Sequence, residues 1–331
     1  MGKFSPAWWL PDGHTQTIWA SKVQRHEQLK YGIESFELSD GDETAIAWYP
    51  SDCSLKTLNG SDAQASKNAP IVVLLHGLEG SAKSNYARGT AYQLAKLGWR
   101  VAILHFRGCH GGPNRVQRTY HSGDTDDLRQ FLAAIKSTSP EAPIYAVGYS
   151  LGGNVLLKYL GEESQEALVE TAVAVSVPYK LDEAADRLNR GASRLYQHVL
   201  LSSLKQKFLT KFAERECPID VQLVPPLKTI RAYDEIVTAP IHGFHNAEDY
   251  YQRSSSLQFL STIAIPTLLI HATDDPLVPP TAIPHTNHLA GEIQLECYPR
   301  GGHVAFVAGT APWRPQYWLE QRIAEFLQHR Q

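Results

Sequence analysis

The amino-acid sequence predicts an α/β fold, with a mostly parallel central sheet flanked by helices and a helical segment inserted before one of the last strands. Three observations predict this class. Short apolar runs alternate with segments of helical periodicity, the runs are apolar throughout, and the alternation stops between residues 179 and 260. Strands of a parallel sheet are covered on both faces, so they read as continuous apolar runs rather than as alternating patterns.

The apolar runs that predict the parallel strands lie at residues 71–76, 100–106, 143–149, 171–178, 266–272 and 293–299. Two β-rich stretches precede them, at 33–39 and 43–50, and the Asp-Gly-Asp sequence between them predicts a hairpin. The stretch 51–70 is polar and rich in turn-forming residues, which predicts a loop on the surface.

Helical periodicity fills the gaps between the runs. In residues 123–138, apolar residues recur at steps of three and four after an acidic start, as in an amphipathic helix. Between residues 179 and 260, one stripe has an apolar residue at every fourth position: Leu200, Leu204, Phe208 and Phe212. Residues 225–237 and 246–260 predict two further helices. We interpret the stripe mainly as packing against the core, with lining of a pocket as a second use.

The interruption divides the chain into two predicted parts. Residues 1–178 and 261–331 form the predicted core, in which residues 1–50 are an N-terminal arm and the hairpin. Residues 179–260 form the predicted helical cap.

Composition excludes several classes of protein. The 331 residues contain 31 Lys and Arg against 34 Asp and Glu, so the net charge is −3. The chain therefore lacks the excess of positive charge that is typical of nucleic-acid-binding proteins. The four cysteines form no C-x-x-C pair, which favours a reducing compartment. The N-terminus lacks the apolar region of a signal peptide, and no apolar run is long enough to span a membrane. We therefore expect a soluble cytoplasmic protein. Its oligomeric state is not indicated.

The segment AVGYSLGGN (residues 146–154) places Ser150 between a predicted strand and a predicted helix. In the G-x-S-x-G motif the serine lies on a sharp turn, where the residues two before and two after it come close together. Gly148 and Gly152 lack the side chains that would clash there. A chance Gly-Ser turn is the alternative, but the strand–turn–helix context favours a nucleophile.

A serine nucleophile needs a base and a carboxylate that orients it, in the order Ser, Asp, His along the chain. Asp275 follows the predicted strand 266–272 and is the preferred carboxylate, with Asp274 as its competitor. His303 follows the last predicted strand, in a loop that contains two glycines. The histidines elsewhere show no metal-binding pattern, so we expect neither a metal nor a cofactor.

An oxyanion requires two N–H donors. We expect one from the main chain of Leu151, directly after the serine, and the other from Leu78, in the loop after the first parallel strand. His76 and Gly77 are expected to shape that loop rather than to react.

Three other features receive structural interpretations. Arg107 is expected to donate hydrogen bonds to loop carbonyls, because the loop HFRGCHGGPNR has many main-chain groups to satisfy. Cys109 has no base assigned to it and is expected to be inert. The adjacent Trp8 and Trp9 are expected to pack the N-terminal arm onto the core.

Together these motifs resemble the α/β-hydrolase superfamily and, within it, the YheT-like hydrolases. The resemblance rests on LLHGLEGS, HFRGCHGGPNR, YHSGDTDDL, GYSLGGN, HATDDP, GGHVAF and the early GHTQT. It implies Ser150 as nucleophile, Asp275 as acid and His303 as base of an enzyme that hydrolyses short-chain esters or monoacylglycerols. It also implies a helical cap inserted before the strand that carries the acid, where the alternation stops.

The sequence therefore predicts a serine-dependent carboxylic ester hydrolase that works through an acyl-enzyme on a small ester or lipid. A thioesterase, an amidase or an acyltransferase would use the same residues. A non-catalytic hydrolase-like binding module is the alternative from another class.

Overall fold

An eight-stranded sheet forms the centre of the computed structural model, which describes residues 3–24, 30–58 and 69–329. The strands are β1 (Gly32–Glu37), β2 (Glu43–Tyr49), β3 (Ile71–Leu75), β4 (Arg100–Leu104), β5 (Ile144–Tyr149), β6 (Thr171–Val175), β7 (Thr267–Ala272) and β8 (Ile293–Tyr298). Their order across the sheet is β1-β2-β4-β3-β5-β6-β7-β8. The hairpin β1–β2 is antiparallel and β2 joins β4 antiparallel, while β4, β3 and β5 to β8 are parallel. The predicted mostly parallel sheet is confirmed.

Helices cover both faces of the sheet. They are α1 (Gly13–Lys22), α2 (Asn85–Ala95), α3 (Asp126–Thr138), α4 (Leu151–Glu163), α5 (Leu181–Arg187), α6 (Ser193–Lys211), α7 (Ile230–Tyr233), α8 (Ala239–Ile241), α9 (Ala247–Ser254) and α10 (Trp318–Gln328). Alternate residues of a strand point to opposite faces. Accordingly, Val73 packs in a cluster with α3 and α4, and its neighbour Val72 packs in a second cluster with α2 and α10. Burial on both faces explains why β3 to β7, which are buried at every position, are almost entirely apolar.

The segment between β6 and β7, all of which is described, forms helices and turns and no strand. Part of the apolar stripe on α6 is buried there, since Phe208 and Phe212 pack with Val224 and Tyr233. The division into a core and a cap with the boundaries given above stays a prediction. Within the described residues, no helix has both the length and the apolarity that a membrane crossing requires.

Several boundaries differ from the sequence prediction. The helix predicted over 225–237 begins only at Ile230, because the Thr229 hydroxyl caps it by accepting from the Ala232 N–H (3.1 Å). The helix predicted over 246–260 changes to a 3₁₀ helix after Ser254. Of the predicted loop 51–70, residues 51–58 form turns, and 59–68 lie outside the described residues.

Several elements were not predicted, among them one helix and a small sheet close to the His303 loop. Helix α1 lies in the N-terminal arm, where a capping box between Asp12 and Thr15 starts it. A separate two-stranded sheet, β9 (Val307–Ala311) and β10 (Arg314–Tyr317), follows the loop of His303. His303 therefore follows the last strand of the central sheet but not the last strand of the chain.

Arg107 joins the hairpin to the start of α3. Its guanidinium is buried and contacts Asp40 (2.7 Å), Asp42 (2.8 Å) and Asp127 (2.6 Å). Arg107 therefore donates to carboxylates, and the prediction that its partners are loop carbonyls is wrong. Carboxylates take that place because the β1–β2 turn and the first turn of α3 meet at this loop.

We expect Arg107→Met to lower the free energy of unfolding by about 3–5 kcal/mol, because it leaves buried carboxylates without their counter-charge. Denaturant titration would measure the loss. Arg115→Met is the matched control, since Arg115 pairs with Glu37 and Glu43 at the surface, where ion pairs contribute about 0–1 kcal/mol. Equal losses in the two variants would contradict the prediction.

The pH dependence of that loss follows from the Asp42 carboxyl. Burial alone would raise its pKa, but hydrogen bonds from Asn114, main-chain N–H groups and Arg107 hold the pKa below its ordinary value. A lowered carboxyl pKa stabilises the fold above the ordinary pKa of about 4 and stops doing so as the pH falls through the lowered value. The deficit of Arg107→Met is therefore complete at neutral pH and shrinks below about pH 4.

Candidate active site

Ser150 lies at the tip of a sharp turn between β5 and α4. Its φ of 51° and ψ of −118° are uncommon for a residue with a side chain. The turn is fixed by the sheet, because the Ser150 N–H donates to the carbonyl of Val175 at the end of β6 (2.8 Å). The hydroxyl therefore stands above the carboxyl edge of the sheet, at the N-terminus of α4.

The glycines around Ser150 are required by close packing of the main chain. A methyl group on Gly148 would lie 2.5 Å from the carbonyl oxygen of Gly152, and one on Gly152 would lie 2.5 Å from the carbonyl oxygen of His76. Such distances are closer than real Cβ contacts allow. The steric interpretation of the motif therefore holds in the folded chain.

His303 and Asp275 meet Ser150 in one hydrogen-bonded row. His303 Nε2 lies 2.9 Å from Ser150 Oγ, and His303 Nδ1 lies 2.7 Å from Asp275 Oδ2. A neutral imidazole that donates from Nδ1 to the carboxylate presents Nε2 as an acceptor to the serine hydroxyl. In this arrangement His303 can take a proton from Ser150.

The structure places Asp275, rather than Asp274, against the imidazole. Asp275 is fully buried in its side chain, and its other oxygen accepts from the N–H groups of Leu277 (2.7 Å) and Val278 (3.1 Å). Asp274 instead accepts from the Gly302 N–H (2.9 Å), at the base of the His303 loop.

The two carboxyls also differ in the direction in which their pKa values are shifted. Burial alone would raise the pKa of Asp275, but the charge and hydrogen bond of His303 outweigh it and leave the pKa below its ordinary value. Burial raises the pKa of Asp274. Asp275 is therefore the carboxyl that stays ionised beside the imidazole.

The loop after β3 lies directly against Ser150, since a methyl group on Gly77 would stand 3.3 Å from Ser150 Cβ. Leu78 follows in this loop, and Leu151 is the first residue of α4. Within the described part of the chain, neither of their N–H groups donates a hydrogen bond to the main chain or to a side chain. Within these residues, both N–H groups are therefore without a hydrogen-bond acceptor, and their predicted binding of an oxyanion stays a prediction.

His76 and Tyr86 hold this loop. The His76 ring contacts the Gly77 carbonyl through Nδ1 (2.7 Å) and accepts from the Phe106 N–H through Nε2 (3.1 Å). Burial lowers the pKa of His76 to about 3, so the ring is neutral. The Tyr86 hydroxyl accepts from the Gly77 N–H (2.8 Å).

Sequence reasoning missed the contribution of the segment GHTQT to this site. In α1, the Thr17 hydroxyl accepts from the His303 N–H (2.9 Å). The Gln16 side chain bonds both the N–H (2.8 Å) and the carbonyl (3.1 Å) of Val307. Both side chains are buried in the fold. In the sequence, the signal is only that two polar residues are adjacent. Helix α1 therefore fixes the loop that carries His303.

Two cavities meet at Leu78. A cleft of about 260 Å³ contains Ser150 and His303 and is bordered by α1 and by Leu200 of α6. A larger cavity of about 430 Å³ extends from Leu78 and Leu151 under the helical segment, where Leu204 and Phe208 line it. The stripe on α6 thus both packs the helix and borders the cavities.

The structure also shows the surroundings of Cys109 and of the adjacent Trp8 and Trp9. Burial raises the pKa of the Cys109 thiol to about 11, so the thiol stays protonated at neutral pH. Trp9 packs against the buried cluster that contains Leu10 and Val307. Trp8, however, is 74% exposed; it donates to the carbonyl of Thr310 (3.0 Å) and contacts the Trp9 ring edge-to-face, so its predicted packing onto the core is wrong.

Comparison with known proteins agrees with this fold. The family described as "alpha/beta hydrolase fold" matches residues 70–310. The chain is 38% identical over 327 residues to "Putative esterase YheT" of Escherichia coli, covering 98% of this chain and 93% of that protein. The chain is therefore an enzyme of the α/β-hydrolase family, in the class of serine hydrolases. Within that family it belongs to the YheT-like subfamily.

More distant proteins share the fold. Phospholipase ABHD3 of Mus musculus is 28% identical over 330 residues, which cover 98% of this chain and 78% of that protein. Monoacylglycerol lipase of Saccharomyces cerevisiae is 31% identical over 229 residues, which cover 67% of this chain and 50% of that protein. A solved structure of the Pyrococcus furiosus esterase Pf2001 has a TM-score of 0.56 at 21% identity, over 91% of this chain and 93% of that one.

We expect Gly152→Ala to lower the free energy of unfolding by about 1–3 kcal/mol, because its methyl group must displace main-chain carbonyls of β3. Gly112→Ala is the matched control, since a methyl group there has open space around it. Denaturant titration of both variants measures the difference. A Gly152→Ala protein as stable as Gly112→Ala would show that the approach of β3 to α4 is not tight.

Proposed function

We propose that the protein hydrolyses carboxylic esters through an acyl-enzyme on Ser150. The observation that carries the proposal is the row Ser150–His303–Asp275, with distances of 2.9 and 2.7 Å, on a turn that presents the hydroxyl above the sheet. A serine with a base in hydrogen-bond reach, and a base oriented by a carboxylate, is the arrangement that activates a hydroxyl for attack on a carbonyl.

In the proposed reaction, Ser150 Oγ forms a bond to the ester carbon while His303 Nε2 takes the hydroxyl proton. The carbonyl oxygen becomes an oxyanion and accepts from the N–H groups of Leu78 and Leu151, each donor of this kind being worth about 10²–10³ in kcat. The bond to the alcohol then breaks, and His303 gives the proton to the leaving oxygen. Water attacks the acyl-enzyme by the same steps, and Asp275 holds the imidazole and stabilises its charged form.

The two cavities support a substrate whose alcohol and acyl chain extend in different directions from the ester group. Because His303 must protonate the alcohol as it leaves, the alcohol lies on the side of the cleft that contains His303. The acyl chain is then directed past Leu78 and Leu151 into the larger cavity, whose apolar lining includes Leu204 and Phe208. We propose short-chain esters and monoacylglycerols as the substrate class, which relatives named as a lipase and a phospholipase support.

The first test is hydrolysis of p-nitrophenyl esters of graded chain length, from acetate to palmitate, by wild type and Ser150→Ala. We expect the variant to lose about 10⁵–10⁶ in kcat, since no base-activated hydroxyl remains. Rates should be highest for the chain lengths that the larger cavity holds. A wild type that neither turns over esters nor is labelled at Ser150 by a fluorophosphonate would overturn the proposal in favour of a binding module.

The second test separates the two neighbouring aspartates. We expect Asp275→Asn to lower kcat by about 10³–10⁴, because an amide can neither hold the imidazole in the required tautomer nor stabilise its charge. Asp274→Asn is the matched control, since its side-chain oxygen can still accept from Gly302, and its kcat should stay near that of wild type. The reverse order of losses would assign the role to Asp274.

A further inference from the structure

Glu79 follows Leu78 in the tight turn after β3. The Gly80 N–H donates to the Gly77 carbonyl (2.9 Å) and closes the turn. Glu79 has a φ of 58°, in the left-handed region that favours glycine. A residue with a side chain persists in this region when its surroundings hold it there.

Contacts of the Glu79 carboxylate hold the residue in this conformation. Some of these contacts come from the helical segment. The side chain is only 6% exposed. Its Oε1 accepts from Lys207 Nζ (3.1 Å), and its Oε2 accepts from the Ser203 hydroxyl. Ser203 and Lys207 are one turn apart on α6. Helix α6 is therefore bonded directly to the residue after Leu78.

Tyr120 holds Glu79 from the side of the sheet. Its hydroxyl accepts from the Glu79 N–H (3.0 Å) and donates to Glu79 Oε1 (2.8 Å). Its ring stacks on Phe106, with centroids 5.2 Å apart and planes at 11°. The peptide between Leu78 and Glu79 is thus fixed by a tyrosine that is itself held by packing.

We propose that Glu79 is a positioning residue that makes the orientation of the Leu78 N–H depend on the docking of α6. The inference rests on the proposed function, in which that N–H binds the oxyanion. When Ser203 and Lys207 release the carboxylate, the main chain at Glu79 relaxes towards negative φ. Because the bond from the Gly80 N–H to the Gly77 carbonyl closes the turn, a change of φ at Glu79 must be compensated at the torsions of Leu78 and Gly77, and this compensation turns the Leu78 N–H away from Ser150.

The test uses variants of the full-length protein that separate the carboxylate from the main-chain conformation. Glu79→Ala removes the carboxylate but keeps a side chain that disfavours positive φ, and Lys207→Met removes the cation. We expect kcat to fall by about 10–100-fold in both, with KM within about 3-fold of wild type, because the loss is confined to the transition state. Glu79→Gly also lacks the carboxylate but tolerates positive φ, so it should be more active than Glu79→Ala. Lys207→Arg keeps the charge and should retain most of the activity.

A second measurement distinguishes positioning from a structural role. An alkyl boronic acid forms a tetrahedral anion on a serine hydroxyl, so its Ki should rise by the same factor by which kcat falls. Lys180→Met is the matched control, since Lys180 also joins the helical segment to the rest of the chain, through the Thr281 carbonyl (3.2 Å), without touching the turn. Its kcat and Ki should match wild type.

Unchanged kcat in Glu79→Ala and Lys207→Met would overturn the inference. An unchanged Ki beside a reduced kcat, or equal losses in Lys180→Met, would also overturn it. These results leave the proposed function standing as long as Ser150→Ala is inactive. A wild type without Ser150-dependent turnover would overturn both.

Discussion

The close approach of the main chain around Ser150 is the constraint on which the rest of the site depends. Gly152, in the first turn of α4, lies against the end of β3, and Gly148, near the end of β5, lies against Gly152, so closely that only glycine fits at either position. This contact forces the uncommon φ and ψ of Ser150 and lifts its hydroxyl above the sheet. The other groups of the site are arranged around this hydroxyl. Because the main chain sets its position, the geometry of the site depends on the geometry of the sheet.

The parts that the sequence predicted are those that follow from local pattern and from the geometry of a parallel sheet. Nearly continuous apolar runs marked β3 to β7, because strands covered on both faces need few polar positions. The carboxyl ends of such strands lie at one edge, where ligands usually bind. Residues 78, 150, 275 and 303 follow β3, β5, β7 and β8 in turn, which brings them together although the chain separates them widely.

The parts that the sequence did not predict depend on pairs of distant side chains. Helix α1 has no marked apolar face, so periodicity does not reveal it; its role comes from Gln16 and Thr17, which bond main chain near residue 303. Arg107 was assigned carbonyl partners because the approach of three carboxylates is a property of the fold alone. The Glu79 contacts with α6 likewise join residues more than 120 positions apart, and no local pattern records such a pairing.

The contact of α1 with the His303 loop has a consequence for how the molecule acquires its chemistry. Gln16 and Val307 are 291 positions apart, and contacts of such long range form late in folding because closing a long loop costs chain entropy first. The parallel sheet and the serine turn can form before this contact, but the imidazole is not held in place until it does. During synthesis on the ribosome, Ser150 therefore lacks a positioned imidazole until residues 303 and 307 have emerged.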